Sequence, residues 1–354
     1  MDNIRIKAGK FAYEIIKDGG FHFDCVTTYV GPAVGPRWLV AGGFDLTLLQ
    51  NEILGGSKPV LLAGSSAGAW RFAAWMQPEP VESYRKLMDA YISMRYDRTD
   101  TPITIQESIC NVVNAYLEDD AIPFALADKR YRLAVTTARA KHLFASDGWI
   151  QKAGFGTAFL LNAMNRSWLR GFVQRVIFYT GPLPPHFCLQ DHFEGQAISL
   201  NEANFKYAVL ASGAIPLIIT GIKNIYGAPT GTYRDGGLVD YHLNQKYAVK
   251  KEDITLFFHH QERIIPGWLD KRLRYRRPSY SALENVLMIY PSENFIRKLP
   301  GGKIPDRDDF KIFVDDPETR IKNWWRAVDL SAPLGEQFLE LVESRKIRDI
   351  VERM

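Results

Sequence analysis

The segment from residue 59 to residue 76 constrains the fold more than any other part of the chain. It opens with PVLLAG, an apolar run whose length and composition are typical of a strand buried on both faces. The small-residue turn GSSAG follows, and the apolar helical pattern SAGAWRFAAWM begins within that turn. A buried strand that turns directly into a helix is the repeating unit of parallel sheets, so this segment indicates an α/β fold.

Other segments repeat this alternation of strand and helix. WLVAGG (38–43) has the pattern of a short buried strand with a glycine turn, and FDLTLLQNEIL (44–54) has that of a helix. We therefore predict a central, mostly parallel sheet flanked by helices. Further strands are indicated at 131–140 and 254–258, and further helices at 156–178, at 202–213 and from about Leu334.

The chain contains no linker long enough to separate two domains, so we predict a single domain over residues 1–354. Its core is expected at about 38–246. Residues 1–37 carry turn signals at 31–36 and are expected to form a leader on the edge of that core. Residues 247–354 are expected to form a C-terminal extension that completes a sheet edge or a lid.

The turn itself carries the first chemical signal. From Gly64 to Gly68 it matches G-x-S-x-G with Ser66 at the centre, a pattern in which a sharp strand-to-helix turn exposes a serine hydroxyl. The amides at the start of the following helix would then stabilise a developing oxyanion. Ser65 is the rival serine, but it is off-centre in the motif. The alternative is a small-residue turn that only lets the helix pack on the sheet.

A reactive serine needs a group that accepts its proton, and the sequence offers two kinds. One is Asp235 in YRDGGLVD, where Gly236 and Gly237 allow close approach of the backbone. The other is a histidine, since His259 and His260 follow Asp235 in the order Ser, Asp, His that α/β-hydrolases use. A histidine pair that ends an apolar strand is equally compatible with a structural role.

The order of these motifs resembles the patatin-like phospholipases. A glycine turn is followed by G-x-S-x-G, by ASGAIP (211–216) and by the D-G-G of Asp235, over residues 38–246. The resemblance implies a patatin-like three-layer α/β/α fold and a Ser–Asp dyad without a catalytic histidine, in which Ser66 is the nucleophile and Asp235 the general base. It also implies hydrolysis of lipid acyl esters, as in a lipase, phospholipase A or lysophospholipase, through an acyl-enzyme intermediate. The glycines that would support the elbow and the dyad are Gly64, Gly68, Gly236 and Gly237.

The resemblance further implies an oxyanion loop built from the amides of Gly42, Gly43 and Phe44. Loss of one such donor typically costs about 3–4 kcal/mol of transition-state stabilisation. Around these residues the chain departs from the family pattern, because an acidic residue, Asp45, stands where the family has a basic one. The two outer glycine positions of the pattern are occupied by Ala41 and Leu46.

Three further functions are compatible with the sequence. A Ser-His-Asp esterase would use Ser66, Asp235 and either His259 or His260. An acyltransferase would pass the acyl group to an alcohol or thiol instead of water. The altered oxyanion loop also allows a non-catalytic member that binds a lipid or a protein partner.

Composition excludes several other classes. A net charge of +4 over 354 residues is too small for a dedicated nucleic-acid binder. Three widely spaced cysteines form neither a disulfide framework nor a zinc motif, so we predict a reducing, cytoplasmic setting with no metal and no cofactor. The N-terminus has no apolar region of the kind a signal peptide needs.

One segment offers a route to membrane surfaces. The stretch 268–277 contains five basic residues and two aromatic ones, a composition that suits transient contact with anionic lipid. A solvated charged face has the same composition. The most apolar stretch, 208–222, is too short and too interrupted to span a bilayer. We therefore expect a cytoplasmic protein that contacts membranes peripherally, with a lipid or ester as its substrate.

Overall fold

One sheet of eleven strands organises the computed structural model, which describes residues 3–146, 149–189 and 193–354. The strands are β1 (Ile4–Ala8), β2 (Val26–Gly31), β3 (Val60–Ser65), β4 (Tyr131–Ala140), β5 (Val173–Tyr179), β6 (Gln196–Ser199), β7 (Ile222–Lys223), β8 (Thr232–Asp235), β9 (Ile254–Phe258), β10 (Val286–Pro291) and β11 (Glu352–Arg353).

The α-helices connect these strands or extend beyond them. They are α1 (Lys10–Lys17), α2 (Gly42–Gln50), α3 (Ala67–Trp75), α4 (Pro80–Ser93), α5 (Pro102–Tyr116), α6 (Ile122–Ala127), α7 (Trp149–Met164), α8 (Phe205–Ser212), α9 (Tyr280–Leu283), α10 (Glu293–Ile296), α11 (Asp308–Ile312), α12 (Pro317–Glu343) and α13 (Ile347–Ile350).

The centre of the sheet is parallel, as predicted. Along the main path the order is β11-β1-β10-β9-β2-β3-β4-β5-β6, and the neighbours from β10 to β4 all run parallel. Antiparallel pairing occurs between β1 and β10, between β4 and β5, and where β8 joins β4 and β7.

Two faces of the sheet are buried because successive strand residues point in opposite directions. Leu62 belongs to the large cluster that β3 shares with α2, α3, α4, α8 and α12. Its neighbour Ala63 belongs to a second cluster on the other face, which includes Leu243 and Tyr247. Helix α7 covers the far half of β4 through a third cluster that includes Phe155 and Ala158. The chain is therefore an α/β protein whose mostly parallel sheet is flanked by helices.

The strands predicted at 131–140 and 254–258 are confirmed, but the strand predicted at 38–43 is wrong. Residues 35–41 form a 3-10 helix that continues into α2. Pro36 at the start of this 3-10 helix favours a helical turn. A run of four apolar residues also has no periodicity that separates a strand from a buried helix.

Only part of the leader lies near the sheet edge, as predicted, because its strand β1 is next to the edge strand β11. Its strand β2 is inserted between β3 and β9, near the middle of the sheet. Residues 156–178 are helical only as far as Met164, because a 3-10 helix and β5 follow. The last long helix, α12, begins at Pro317 rather than near Leu334.

Candidate active site

Strands β3 and β8 meet end to end along one side of β4. β3 runs parallel to β4 and places Ser65 opposite Thr136, whereas β8 runs antiparallel and places Asp235 opposite Thr137. Because the two threonines are neighbours, the residue that follows β3, Ser66, lies beside the last residue of β8. The sheet register thus brings together two residues that are 169 positions apart.

The turn after β3 is a strained elbow. Ser66 has φ of 54° and ψ of −124°, a conformation that residues with side chains rarely adopt outside functional sites. A Cβ on Gly68 would lie 1.9 Å from the carbonyl oxygen of Gly31, and one on Gly64 would lie 2.5 Å from the backbone nitrogen of Ala69. Both glycines of the motif therefore stand where two backbones touch.

The Ser66 hydroxyl donates directly to Asp235, with Oγ 2.7 Å from Oδ2. The other carboxylate oxygen, Oδ1, accepts the N–H of Gly237 at 2.7 Å, which fixes the plane of the carboxylate. A Cβ on Gly236 would meet the Ser65 Oγ at 2.5 Å, so the Ser65 hydroxyl faces Gly236, and within the described residues it forms no hydrogen bond with the carboxylate. Geometry thus singles out Ser66 as the serine in contact with Asp235.

The environment of Asp235 makes it a stronger base than a carboxylate in water. Burial raises its pKa above the ordinary 3.8, and this effect exceeds the opposing influence of Arg307, the Ser66 hydroxyl and the Gly237 amide. A raised pKa narrows the gap to the serine hydroxyl whose proton it would accept.

Sequence reasoning missed Ser212, which supports the dyad. The Oγ of Ser212, the last residue of α8, accepts the N–H of Ser66 at 2.8 Å and donates to the carbonyl of Thr136 at 2.7 Å. Two residues later, the carbonyl of Ala214 accepts the N–H of Asp235 at 2.9 Å. The motif ASGAIP thus holds the backbone of both Ser66 and Asp235. The serine within this motif was the one sequence signal that could have identified Ser212.

The predicted oxyanion residues are placed elsewhere, so that assignment is wrong. Gly42, Gly43 and Phe44 form the first turn of α2. The N–H of Gly42 donates to the carbonyl of Leu39, and the N–H of Gly43 donates to the Ser331 Oγ at 2.8 Å. The ring of Phe44 is fully buried in the core. Two of the three expected donors are therefore already used to dock α2.

The acidic residue that interrupts the family pattern is also remote from the dyad. Asp45 accepts hydrogen bonds from Arg71 Nε at 2.7 Å, from Tyr29 Oη at 2.6 Å and from Tyr84 Oη. Asp45 and Arg71 are both completely buried. This network joins α2, α3, α4 and β2, so Asp45 has a structural role and places no negative charge at the oxyanion.

The loop that approaches the elbow is the one after β2. Ala33 packs against Gly237, and its N–H donates to the carbonyl of Tyr241 at 2.7 Å. Gly35 has φ of +56° and begins the 3-10 helix, so its N–H has no acceptor within that helix. The same holds for Ala67, the first residue of α3. The turn signals at 31–36 thus belong to the site.

A small cleft of about 10 Å³ opens beside Asp235. It is smaller than the ~300–1,000 Å³ of typical ligand pockets. A larger cleft on another part of the surface, near Glu262 and Glu293, contains neither residue of the dyad. The lining of the small cleft is largely apolar: Ala33, Ile215, Pro216, Asp235, Leu238, Tyr241, Trp268 and Arg307.

Within the described residues, neither of the histidines considered as bases, His259 and His260, forms a hydrogen bond with Ser66 or Asp235. The Nδ1 of His259 donates to the carbonyl of Gln261 at 2.6 Å, and burial lowers its pKa to about 3. His242, His259 and His260 instead form a buried cluster in which one nitrogen of each lies within 4.8 Å of the others.

This cluster contains the residues best placed to hold a metal, a possibility that the sequence did not indicate. The Nδ1 of His242 accepts the N–H of Ile265 at 3.0 Å, so its inward Nε2 carries the proton in the neutral ring. A metal ligand needs a lone pair there. His259 does have a lone pair at Nε2, because its Nδ1 carries the proton. The cluster therefore combines a hydrogen-bond donor with an acceptor, which fits three metal ligands poorly.

The stretch 268–277 is tied to the rest of the fold. Asp270 is buried and pairs with Arg166 at 2.7 Å, while it accepts a hydrogen bond from Asn162 at 2.7 Å. Tyr275 Oη donates to the carbonyl of Ala163, and Trp268 lines the cleft beside Asp235. The outward residues are Arg272, Arg274, Tyr275 and Arg277, and their contact with membranes stays a prediction.

No protein-family model and no curated protein sequence matches this chain significantly. Within the described residues, no helix combines the length and apolar character that a bilayer crossing demands.

Proposed function

We propose that this chain is a serine acyl hydrolase of the patatin-like kind, with Ser66 as nucleophile and Asp235 as general base. The observation that carries the proposal is the 2.7 Å hydrogen bond from a strained serine to a buried carboxylate. A hydrogen bond between nucleophile and base, with the base held by a further group, is the arrangement that nucleophilic catalysis requires.

In the proposed reaction, Ser66 Oγ attacks the ester carbonyl while its proton passes to Asp235. The oxyanion would accept hydrogen bonds from the amides of Ala67 and Gly35, which replace the donors predicted from the sequence. Collapse of the tetrahedral intermediate expels the alcohol, which takes the proton from Asp235. Asp235 then deprotonates a water molecule that attacks the acyl-serine, and the Ser66 oxygen takes this proton back from Asp235 as the carboxylic acid leaves.

The surroundings of the cleft favour an acyl ester as substrate. Ile215, Pro216 and Leu238 line the cleft with apolar surface. Next to Pro216, Leu217 and Ile218 are 38% and 40% exposed. A chain too long for the cleft would therefore extend over apolar side chains, where each buried methylene contributes about 0.8 kcal/mol.

The proposal is tested by ester hydrolysis with paired serine variants. Ser66→Ala is expected to abolish turnover of a panel of nitrophenyl esters and phospholipids. Ser65→Ala removes a neighbouring buried hydroxyl and is expected to retain most of it. Substitution of His259 and His260 by asparagine is also expected to leave turnover largely intact. Activity that survives Ser66→Ala, or that requires the histidines, would contradict the dyad.

A further inference from the structure

Two cations that no prediction from the sequence assigned to the site lie at its cleft. Arg307 lines the cleft together with Asp235 and crosses the loop at Gly35, where a Cβ would lie 2.9 Å from its Nε. Lys271 Nζ lies 4.4 Å from the ring centre of Tyr241 and 5.7 Å from that of Trp268, and both rings line the same cleft.

Neither cation has a carboxylate partner that accounts for its position. Among residues 3–146, 149–189 and 193–354, the side chains of Arg307 and Lys271 form no ion pair and no hydrogen bond. The nearby Arg37 has one, since its Nη2 lies 3.8 Å from Asp306 Oδ2. Asp235 is the acidic group nearest the cleft, and its carboxylate oxygens are occupied by Ser66 and Gly237.

The electrostatics of Lys271 agree with a site that binds an anion. Burial, followed by the neighbouring Arg307 and Arg37, lowers the pKa of Lys271 to about 7, and Asp235 only partly opposes this. Half-buried cations that repel one another are unfavourable unless an anion joins them. Such an arrangement is typical of sites that bind phosphate or carboxylate groups.

We propose that Arg307 and Lys271 form a subsite for one anionic group of the substrate, a phosphate or a carboxylate held close to the ester bond that Ser66 attacks. Arg307 would bind this anion with its planar guanidinium, and Lys271 would add a point charge from its position against the rings of Tyr241 and Trp268. The subsite would favour acyl esters with an anionic group near the ester over neutral esters. Assigning the anion to the substrate rests on the proposed function, whereas the site itself does not.

The site is tested first without catalysis. Calorimetric titration of inorganic phosphate into the Ser66→Ala protein at about pH 6.5 is expected to show saturable binding. Arg307→Gln and Lys271→Met, each combined with Ser66→Ala, are expected to weaken that binding by about tenfold or more. Arg274→Gln removes an exposed positive charge from the same part of the chain and serves as the matched control. Absence of binding, or equal weakening by the control, would overturn the proposal.

A second readout follows from the protonation of Lys271. Sulfate keeps a constant charge near neutral pH, so a change in its affinity with pH reflects a change of protonation in the protein. The groups that face Lys271 are Arg307, Arg37, Asp235, His242, His260 and the rings of Tyr241 and Trp268. Burial lowers the pKa of both histidines well below the ordinary 6.5, so they stay neutral as the pH passes through 7. Because bound anion favours the protonated lysine, sulfate affinity is expected to fall as the pH rises through about 7. The Lys271→Met protein should lose this dependence, and its persistence there would contradict the role of Lys271.

A third experiment tests whether the bound anion is part of the substrate. The two esters compared are 2-nitrophenyl octanoate and the same ester with a carboxylate on the ring, 3-octanoyloxy-4-nitrobenzoate. In Arg307→Gln, the kcat/KM of the carboxylate-bearing ester is expected to fall about tenfold relative to that of the neutral ester. The kcat/KM of the neutral ester itself should change little. Phosphate binding without this change would assign the site to a free anion and overturn the substrate inference. If neither ester is hydrolysed, the proposed function fails, while the phosphate titration still decides the site.

Discussion

Replacing Asp45 by asparagine tests the reassignment of the residue that interrupts the family pattern. Asp45 and Arg71 are wholly buried, and the carboxylate accepts hydrogen bonds from Arg71 Nε and Nη2 at 2.7 and 2.8 Å. Burial lowers the pKa of Arg71, but Asp45, with smaller contributions from Tyr29 and Tyr84, more than offsets this and raises it above the ordinary value. Asp45→Asn keeps the shape of the side chain and leaves a buried cation without its counter-ion.

The expected loss of stability is large. Breaking a buried ion pair by removing one partner typically costs about 3–5 kcal/mol, and we expect a loss of this size in Asp45→Asn. Single domains are stable by about 5–15 kcal/mol, so the variant would lose a third or more of the total in many cases. Urea unfolding followed by fluorescence measures the change. The double variant Asp45→Leu/Arg71→Met removes both charges and is expected to recover much of the loss.

The same variant separates the two assignments of Asp45. If Asp45 is structural, the fraction of Asp45→Asn protein that remains folded should react with a fluorophosphonate probe at nearly the wild-type rate. Unchanged urea unfolding combined with a much slower reaction would refute this reasoning and return Asp45 to the oxyanion region.

Four further predictions concern the dyad and its support. Ser212→Ala leaves the buried N–H of Ser66 without an acceptor, so we expect about 1–3 kcal/mol of destabilisation in urea and slower probe labelling. Gly68→Ala places a methyl group 1.9 Å from the Gly31 carbonyl oxygen and should destabilise the protein by about 1–3 kcal/mol or more, whereas a wild-type melting temperature would contradict the close approach. Because burial raises the pKa of Asp235, labelling of Ser66 should increase as the pH rises through that raised value, and Asp235→Asn should abolish the increase. The ionised carboxylate is the form that burial disfavours, so Asp235→Asn should also melt higher than wild type at about pH 8, with a difference that shrinks as the pH is lowered.

Local signals in the sequence located the elbow. An apolar strand, a small-residue turn and an apolar helix lie within residues 59–76, so their chemistry is readable without any distant contact. Asp235 was identified from the order of motifs, because the pairing of β8 with β4 that places it beside Ser66 leaves no local trace. Ser212 lay within a recognised motif, but the acceptor it provides depends on the packing of α8.

The errors have a common physical origin. The loop at 31–37 contains two prolines and two glycines and therefore has the composition of an ordinary surface turn, whereas the glycines at 42–43 match a family pattern more closely. Which loop reaches the elbow is decided by β2 lying next to β3 in the sheet, a long-range pairing. Arg307 and Lys271 also reach the cleft through long-range packing, because they belong to the C-terminal part of the chain and are far from Ser66 in the sequence.

The most direct test of the account is the rate at which a fluorophosphonate labels Ser66, with the site of the adduct located by peptide mass spectrometry. Folded wild-type protein is expected to carry one adduct, on Ser66, and Asp235→Asn is expected to label at least about 100-fold more slowly because the hydroxyl loses its base. No adduct in folded wild-type protein, an adduct on Ser65, or equal rates in the two proteins would contradict the Ser66–Asp235 dyad.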